Sequence, residues 1–302
     1  MTVCISHPKD EHSRFDTKKR EFKFFGLPVL GFATKGNGRI RVYLFGVKTF
    51  SFKKPARRPK RPNVKPVIIP KDPTAPKGVI YTCITGGYDN LVRHNCVNQN
   101  FDYICFTDNE KLLKKKRVGI WQFRPLVFDK LDATRNNRWH KMHPHILFPK
   151  DDLSIYIDGN INVLTPKLFD IVKANAQKKL SVPLHYARDC VYDEANEVIL
   201  DKRDTPENIR KILDFLKKEK MPAHYGLTEN NILIRHHKDP LVKKMMDEWW
   251  SFIEKVTKRD QLSFSYILWK NGIKIKDICF DNARFDYKNY YFELHSKKRK
   301  QK

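Results

Sequence analysis

The chain has 302 residues, 40% of them hydrophobic, which is enough for one large domain or two small ones with a real core. Its 60 Lys and Arg against 34 Asp and Glu give a net charge of +26, so polyanions are the expected counterparts. Six cysteines without CxxC spacing argue against a disulfide framework, and the longest apolar run, FFGLPVLGFA, is too short to span a bilayer.

The charge is uneven. Residues 1–78 hold 19 Lys and Arg against 5 Asp and Glu. Within residues 1–54, FKFFGLPVLGF (22–32) aligns with VYLFGVKTFSF (42–52) at a shift of 20 positions, with the turn signal Lys35–Gly38 between them. Two short strand pairs are predicted there, forming a small β appendage. Residues 55–77 are rich in Pro, Lys and Arg and read as an extended basic linker. Residues 78–302 form the body, with a basic C-terminal tail.

In the body, VIYTCIT (79–85) is a predicted strand that runs into Gly86-Gly87, and FDYICFTD (101–108) is a second that ends in Asp108. GIWQFRPL (119–126) is a third. Residues 129–148 read as helical, with a break at Pro144. SIYIDGN (154–160) is a buried strand that ends in Asp158-Gly159-Asn160. Helical spacing follows at 168–179, extended chain at 179–187 and an amphipathic helix at 206–220. A strand (230–237) and two helices (240–255 and 259–270) complete the body. The alternation predicts an α/β domain with a mostly parallel, Rossmann-like sheet flanked by helices.

Open α/β sheets bind ligands at the carboxyl ends of their strands. Gly86, Gly87, Asp108, Asp158 and Asn160 all fall there. Asp158 and Asn160 offer oxygen ligands to a hard cation such as Mn²⁺ or Mg²⁺, although a β-turn also explains Asp-Gly-Asn. Arg135, Arg138 and Lys141 share one face of a helix and suit phosphate; a solvated basic face is the plainer reading. His140, His143 and His145 lack zinc-helix spacing and read as structural residues or substrate contacts. His185, Arg188, Asp189, Asp193 and Glu194 crowd one short stretch. Asp260 opens an apolar helix, where capping would account for it but not for Gln261.

YTCITGGYD, DYICFTD, RNNRWHKMHPHILFP, SIYIDGNI, HYARDCVYDEA, MPAHYGLTENNILIR and RDQLSFSYILWK together resemble the glycosyltransferase-like domain of plant mucilage- and xylan-related proteins. That domain also occurs in bacterial capsule and lipopolysaccharide loci. The resemblance covers residues 78–295. The arm resembles the short LFG-containing repeats that precede some bacterial surface-polysaccharide glycosyltransferases. The family is distantly similar to GT-A enzymes of the glycogenin type. The resemblance implies donor binding by Gly86, Gly87, Asp108, Arg135, Arg138, Lys141, Asp158 and Asn160. Asp158 and Asn160 stand where such enzymes carry an Asp-x-Asp metal motif, with the second carboxylate replaced by an amide. His295 is the implied third metal ligand, a basic tail being the alternative. Asp260 and Gln261 match the pair that faces the donor sugar. Asp189 is a further catalytic candidate, and no general base is singled out among Asp189, Glu194 and Asp260. Acceptor contacts are expected from His185, Arg188, Gly226, Glu229 and Asn231.

The expected function is transfer of a hexose from a nucleotide-diphosphate sugar, a UDP-sugar in the first instance, to a hydroxyl of a capsule or lipopolysaccharide glycan. The alternative is a basic, non-catalytic protein that binds polyanions such as nucleic acid. No specific nucleic-acid motif supports that alternative. The chain is expected to be cytoplasmic, with attachment of the basic arm to an anionic membrane face as an option.

Overall fold

Runs rich in β-branched and aromatic residues become strands, and amphipathic runs become helices. The computed structural model describes residues 3–4, 18–25, 27–34, 39–45, 47–53, 60–201 and 203–296. The expected turn Lys35–Gly38, the first part of the linker and the tail beyond Ser296 lie outside them. The chain divides into two compact units. One comprises Met1–Lys60 with Ala187–Asp189, the other Arg61–Tyr186 with Cys190–Lys302.

The first unit is an antiparallel meander of β1 (Val3–Cys4), β2 (Lys18–Phe24), β3 (Leu27–Thr34), β4 (Arg39–Leu44) and β5 (Val47–Lys53). The sequence repeat is also a structural one. Phe24 pairs with Leu27 and Leu44 pairs with Val47, so each hairpin closes on a two-residue turn. Each hairpin also carries a register shift at the equivalent place, Phe22/Lys23 and Val42/Tyr43.

In the second unit, β6 (Val67–Ile69) pairs in parallel with β8 (Cys96–Asn98), so the Pro-rich stretch contributes a short strand. The main sheet is built from β7 (Gly78–Ile84), β9 (Phe101–Thr107), β10 (Arg117–Val118), β11 (Trp121–Arg124), β12 (Leu153–Ile157), β14 (Leu180–Pro183), β15 (Ile232–His236) and β16 (Cys279–Phe280). Its order is β10-β11-β9-β7-β12-β15-β14-β16. Only β10 and β15 run against the others, so the sheet is mostly parallel, as expected. β13 (Ile161–Val163) pairs separately with β17 (Tyr290–Phe292).

Both faces of the sheet are covered, which explains the unbroken apolar character of β7 and β12. Alternate residues feed two cores. Val79, Tyr81, Cys83 and Tyr156 pack with α2 (Ala133–Met142), α5 (Val191–Leu200), α6 (Pro206–Lys218), α7 (Pro240–Lys255) and α8 (Asp260–Lys270). Ile80, Ile84, Ile155 and Ile157 pack on the opposite face with α4 (Lys167–Ala174). Three short helices, α1 (Glu110–Lys115), α3 (Pro144–Leu147) and α9 (Ile275–Ile278), sit in the connections. The chain breaks between α2 and α3 at Pro144, where the ring takes the first position of a new helix. Residues 191–200, read from sequence only as a charged stretch, form α5.

Candidate active site

β9, β7 and β12 are parallel neighbours, so Asp108, Gly86-Gly87 and Asp158 leave the same edge of the sheet. The Gly86 amide donates to the Asp108 carboxylate at 2.7 Å. Both Gly86 (φ 57°) and Gly87 (φ 60°) adopt the left-handed conformation that glycine takes without steric cost. Gly159 serves close approach instead: a Cβ there would lie 2.8 Å from Ile84 Cγ1. The turn it permits returns the Ile161 amide to the Asp158 carbonyl at 3.0 Å.

Helix α2 brings the cations. Its N-terminus is capped by Asp132, which accepts from the amides of Thr134 and Arg135. Thr85 donates to the Ala133 carbonyl at 2.6 Å and the Asn137 amide to the Cys83 carbonyl at 2.5 Å, which ties the helix to the end of β7. At the other end, the buried Arg235 guanidinium and the Tyr81 hydroxyl both donate to the Lys141 carbonyl, at 2.8 and 2.9 Å. Three-residue spacing places Arg138 and Lys141 on one face of this pinned helix.

Those two cations meet the start of α8. The Lys141 ammonium lies 2.8 Å from Asp260 Oδ2 and 3.8 Å from Asp158 Oδ1, and Arg138 Nε lies 3.2 Å from Asp260 Oδ2. Lys141 and Asp260 are buried, whereas the Asp158 side chain is 34% exposed. Burial pushes the Asp260 carboxyl up, but Arg138, Lys141 and Arg259 outweigh it and hold the group well below the usual range. Burial pushes the Lys141 ammonium down, against the pull of Asp260 and Asp158. A carboxylate held so low is a weak base, so Asp260 acts here as an electrostatic partner.

A second constellation lies at the entry to β15. Glu229, Asn230 and Asn231 are buried polar residues. Arg284 pairs with Glu229 at 2.5 Å and also lies over the rings of Tyr186 and Phe292. Burial raises the Glu229 carboxyl despite Arg284, with Asp158 acting in the same direction as burial. The Asn231 carbonyl accepts from the Asp158 amide at 2.9 Å, which links this group to the first cluster. His185 is buried, stacks on Tyr186 and lies 3.7 Å from Glu194. Gly226 takes φ 110° beside Ile275.

Several expected residues stand elsewhere. Arg135 turns away from the cluster, to Asp132 at 2.7 Å and the Ile253 carbonyl at 3.1 Å. Arg188 and Asp189 are grouped with the first unit. Arg259, with no side-chain cap, occupies the N-cap of α8; Asp260 is the first helical residue, and its carboxylate is taken by cations. Gln261 follows it, half-buried. His140 accepts from the Val127 amide and bonds the Asn136 carbonyl, His143 stacks on Trp139, and His145 pairs with Asp247, so all three have partners within the protein. Arg259 stands out in the sequence with Asp260 and Gln261 but has no role assigned there, and Arg284, a single cation in a strongly basic chain, has no spacing pattern to mark it.

The three expected metal ligands do not form a set. Asp158 faces the Lys141 ammonium, Asn160 donates its amide to the Glu293 carbonyl at 3.0 Å, and His295 Nδ1 meets Asp89 at 2.6 Å. Among the described residues, no group of three or more His, Cys, Asp or Glu side chains converges to hold a metal ion. The residues present therefore do not fit a divalent cation held in the Asp-x-Asp manner.

A mostly parallel α/β sheet with a charged cluster at its strand ends places the cluster where open α/β domains bind their ligands. Residues 77–288 match the TOD1/MUCI70, glycosyltransferase-like domain, and the chain belongs to that family. It is 27% identical over 216 residues to a probable hexosyltransferase, MUCI70 of Arabidopsis thaliana; the match covers 63% of this chain and 36% of the relative. The chain thus spans about a third of that relative's length. Among solved structures, the mannosyltransferase Ktr4p of S. cerevisiae aligns with TM-score 0.38 and 14% identity, over 70% of this chain and 71% of that one. Mouse xyloside xylosyltransferase 1 aligns with TM-score 0.35 and 10% identity, over 71% and 85%.

Proposed function

We propose that the chain is a glycosyltransferase that moves a hexose from a nucleotide-diphosphate sugar to a hydroxyl of a cell-surface glycan of the capsule or lipopolysaccharide type. Family membership supports sugar transfer, and the relative's name supports a hexose. The observation that carries the reading is the cluster of Arg138, Lys141, Asp158 and Asp260 at the carboxyl edge of the sheet.

In this reading the nucleotide lies along the Gly86-Gly87 loop and Asp108. Arg138 and Lys141 neutralise the diphosphate as it leaves, and Asp260 keeps both cations aimed. Asp158, the more exposed carboxylate, faces the sugar together with Gln261. Glu229 and Arg284 line the acceptor side, and Glu229, raised by burial, is a better proton acceptor than Asp260. In this reading the protein's own cations, Arg138 and Lys141, perform the charge stabilisation. A test is to incubate the protein with a panel of nucleotide sugars and follow release of nucleoside diphosphate. Asp158→Ala should abolish release while keeping the thermal transition; unchanged release would remove Asp158 from the mechanism.

A further inference from the structure

The first unit ends in two turns of unusual construction. Phe25 and Phe45 occupy the first position of the two hairpin turns, with φ of 49° and 50°. A two-residue hairpin turn favours Asn or Gly at such a position, because a left-handed backbone crowds a bulky side chain. The chain uses phenylalanine twice, 20 positions apart, in equivalent places of its repeat. Both rings face solvent: Phe25 is 92% and Phe45 76% exposed. Leu27 (71%) and Leu44 (40%) beside them are exposed as well. In a meander, alternate turns lie on the same edge of the sheet, and the Phe45 amide donates to the Val29 carbonyl at 3.0 Å, which joins the two tips. Four apolar side chains thus stand together at one end of a small sheet, while Val42 behind them is buried. The residues of this unit and of the linker after it are strongly basic, with 19 Lys and Arg against 5 Asp and Glu in residues 1–78.

We propose that this apolar tip inserts into the surface of an anionic lipid bilayer, with Phe25 and Phe45 as the anchors and the basic composition of residues 1–78 as the electrostatic complement. Aromatic side chains at the headgroup level supply apolar burial, and Lys and Arg close to an anionic leaflet add attraction that falls off within a Debye length. Charge complementarity selects this occupant over a neutral surface. Among the described residues no helix is long and apolar enough to cross a membrane, so attachment of this kind would be interfacial. The proposal does not depend on the catalytic reading.

The test is co-sedimentation of the full chain with vesicles of phosphatidylcholine alone and of phosphatidylcholine with phosphatidylglycerol. Wild type should partition roughly tenfold or more in favour of the anionic vesicles, less so at high salt. Phe25→Ser/Phe45→Ser should lower that partition roughly tenfold or more. Phe25→Trp/Phe45→Trp should bind like wild type, and its added fluorescence should be quenched by brominated lipid. That variant decides the matter if the serine variant fails to fold. Equal binding of the serine variant, unquenched tryptophans, or retention on anionic polysaccharide but not on vesicles would overturn the proposal.

Discussion

Lys141 and Asp260 stand 119 positions apart and meet in a buried ion pair, Nζ to Oδ2 at 2.8 Å. Without Lys141 the buried Asp260 carboxylate keeps Arg138 at 3.2 Å, so its compensation is weakened and not removed. Lys141→Met should therefore lower stability by about 1–3 kcal/mol, read from urea unfolding. Lys141→Met/Asp260→Asn should recover part of that loss, because the carboxylate is removed together with its ammonium, although Arg138 then faces a neutral amide, while sugar transfer stays lost in both. A double variant no more stable than the single one would show that the pair is not coupled.

Arg284 and Glu229 make a second contact, in which the carboxylate is buried and the Arg284 side chain is 42% exposed. Glu229 is 1% exposed and Arg284 is its partner at 2.5 Å. Arg284→Leu should destabilise the fold by about 3 kcal/mol. Arg284→Lys keeps a charge but not the planar guanidinium, so it should raise the KM for acceptor more than that for donor. A change in donor KM alone would move this pair to the other side of the site.

Stability should fall in mild acid. Burial lowers both His94 and His140 from an ordinary 6.5 to about 4. The unfolded chain takes up protons at these positions below about pH 6.5, whereas the folded chain resists until about pH 4. Their contribution is complete above pH 6.5 and is lost as pH falls toward 4. At about 1.4 kcal/mol per unit for each group, urea unfolding should show a drop of about 4 kcal/mol between pH 7.5 and 5.0. A flat profile would contradict the burial of these neutral rings.

Chelation separates the two ways of handling the leaving diphosphate. With Lys141 at 3.8 Å from Asp158 and the Asn160 amide bonded to Glu293, turnover should survive a strong chelator to within about twofold. Complete loss with the chelator, restored by Mn²⁺, would show that a cation displaces the ammonium from Asp158.

Much of this arrangement is legible in the chain itself. Alternating apolar strands and amphipathic helices give the sheet, and polar residues just beyond β7, β9 and β12 mark its working edge. Arg138 and Lys141 are visible together because a helix repeats every three to four residues. Arg135 has the same spacing, yet it turns to Asp132 and the Ile253 carbonyl, since spacing defines a face and not the direction of a long side chain. Arg284 is a long-range partner of Glu229, 55 positions away, brought in by the packing of distant segments, whereas Arg259 adjoins Asp260 in the chain. The helix at 191–200 has no capping side chain at Cys190 to mark its start and follows an extended stretch, although its acidic first turn is a helix signal. The metal expectation rested on the position of Asp158 and Asn160; the contacts of Lys141, Glu293 and Asp89 that divide the ligands arise only in three dimensions.

The central claim is that Arg138 and its neighbours receive a diphosphate. Isothermal titration with a panel of nucleoside diphosphates tests it, using wild type and an Arg138→Met variant shown to be folded at the temperature of the titration. One nucleotide should bind wild type and bind the variant roughly tenfold or more weakly, as expected for a lost charge-assisted contact to phosphate. Equal affinity in the two proteins, or no nucleotide bound by wild type, would contradict it.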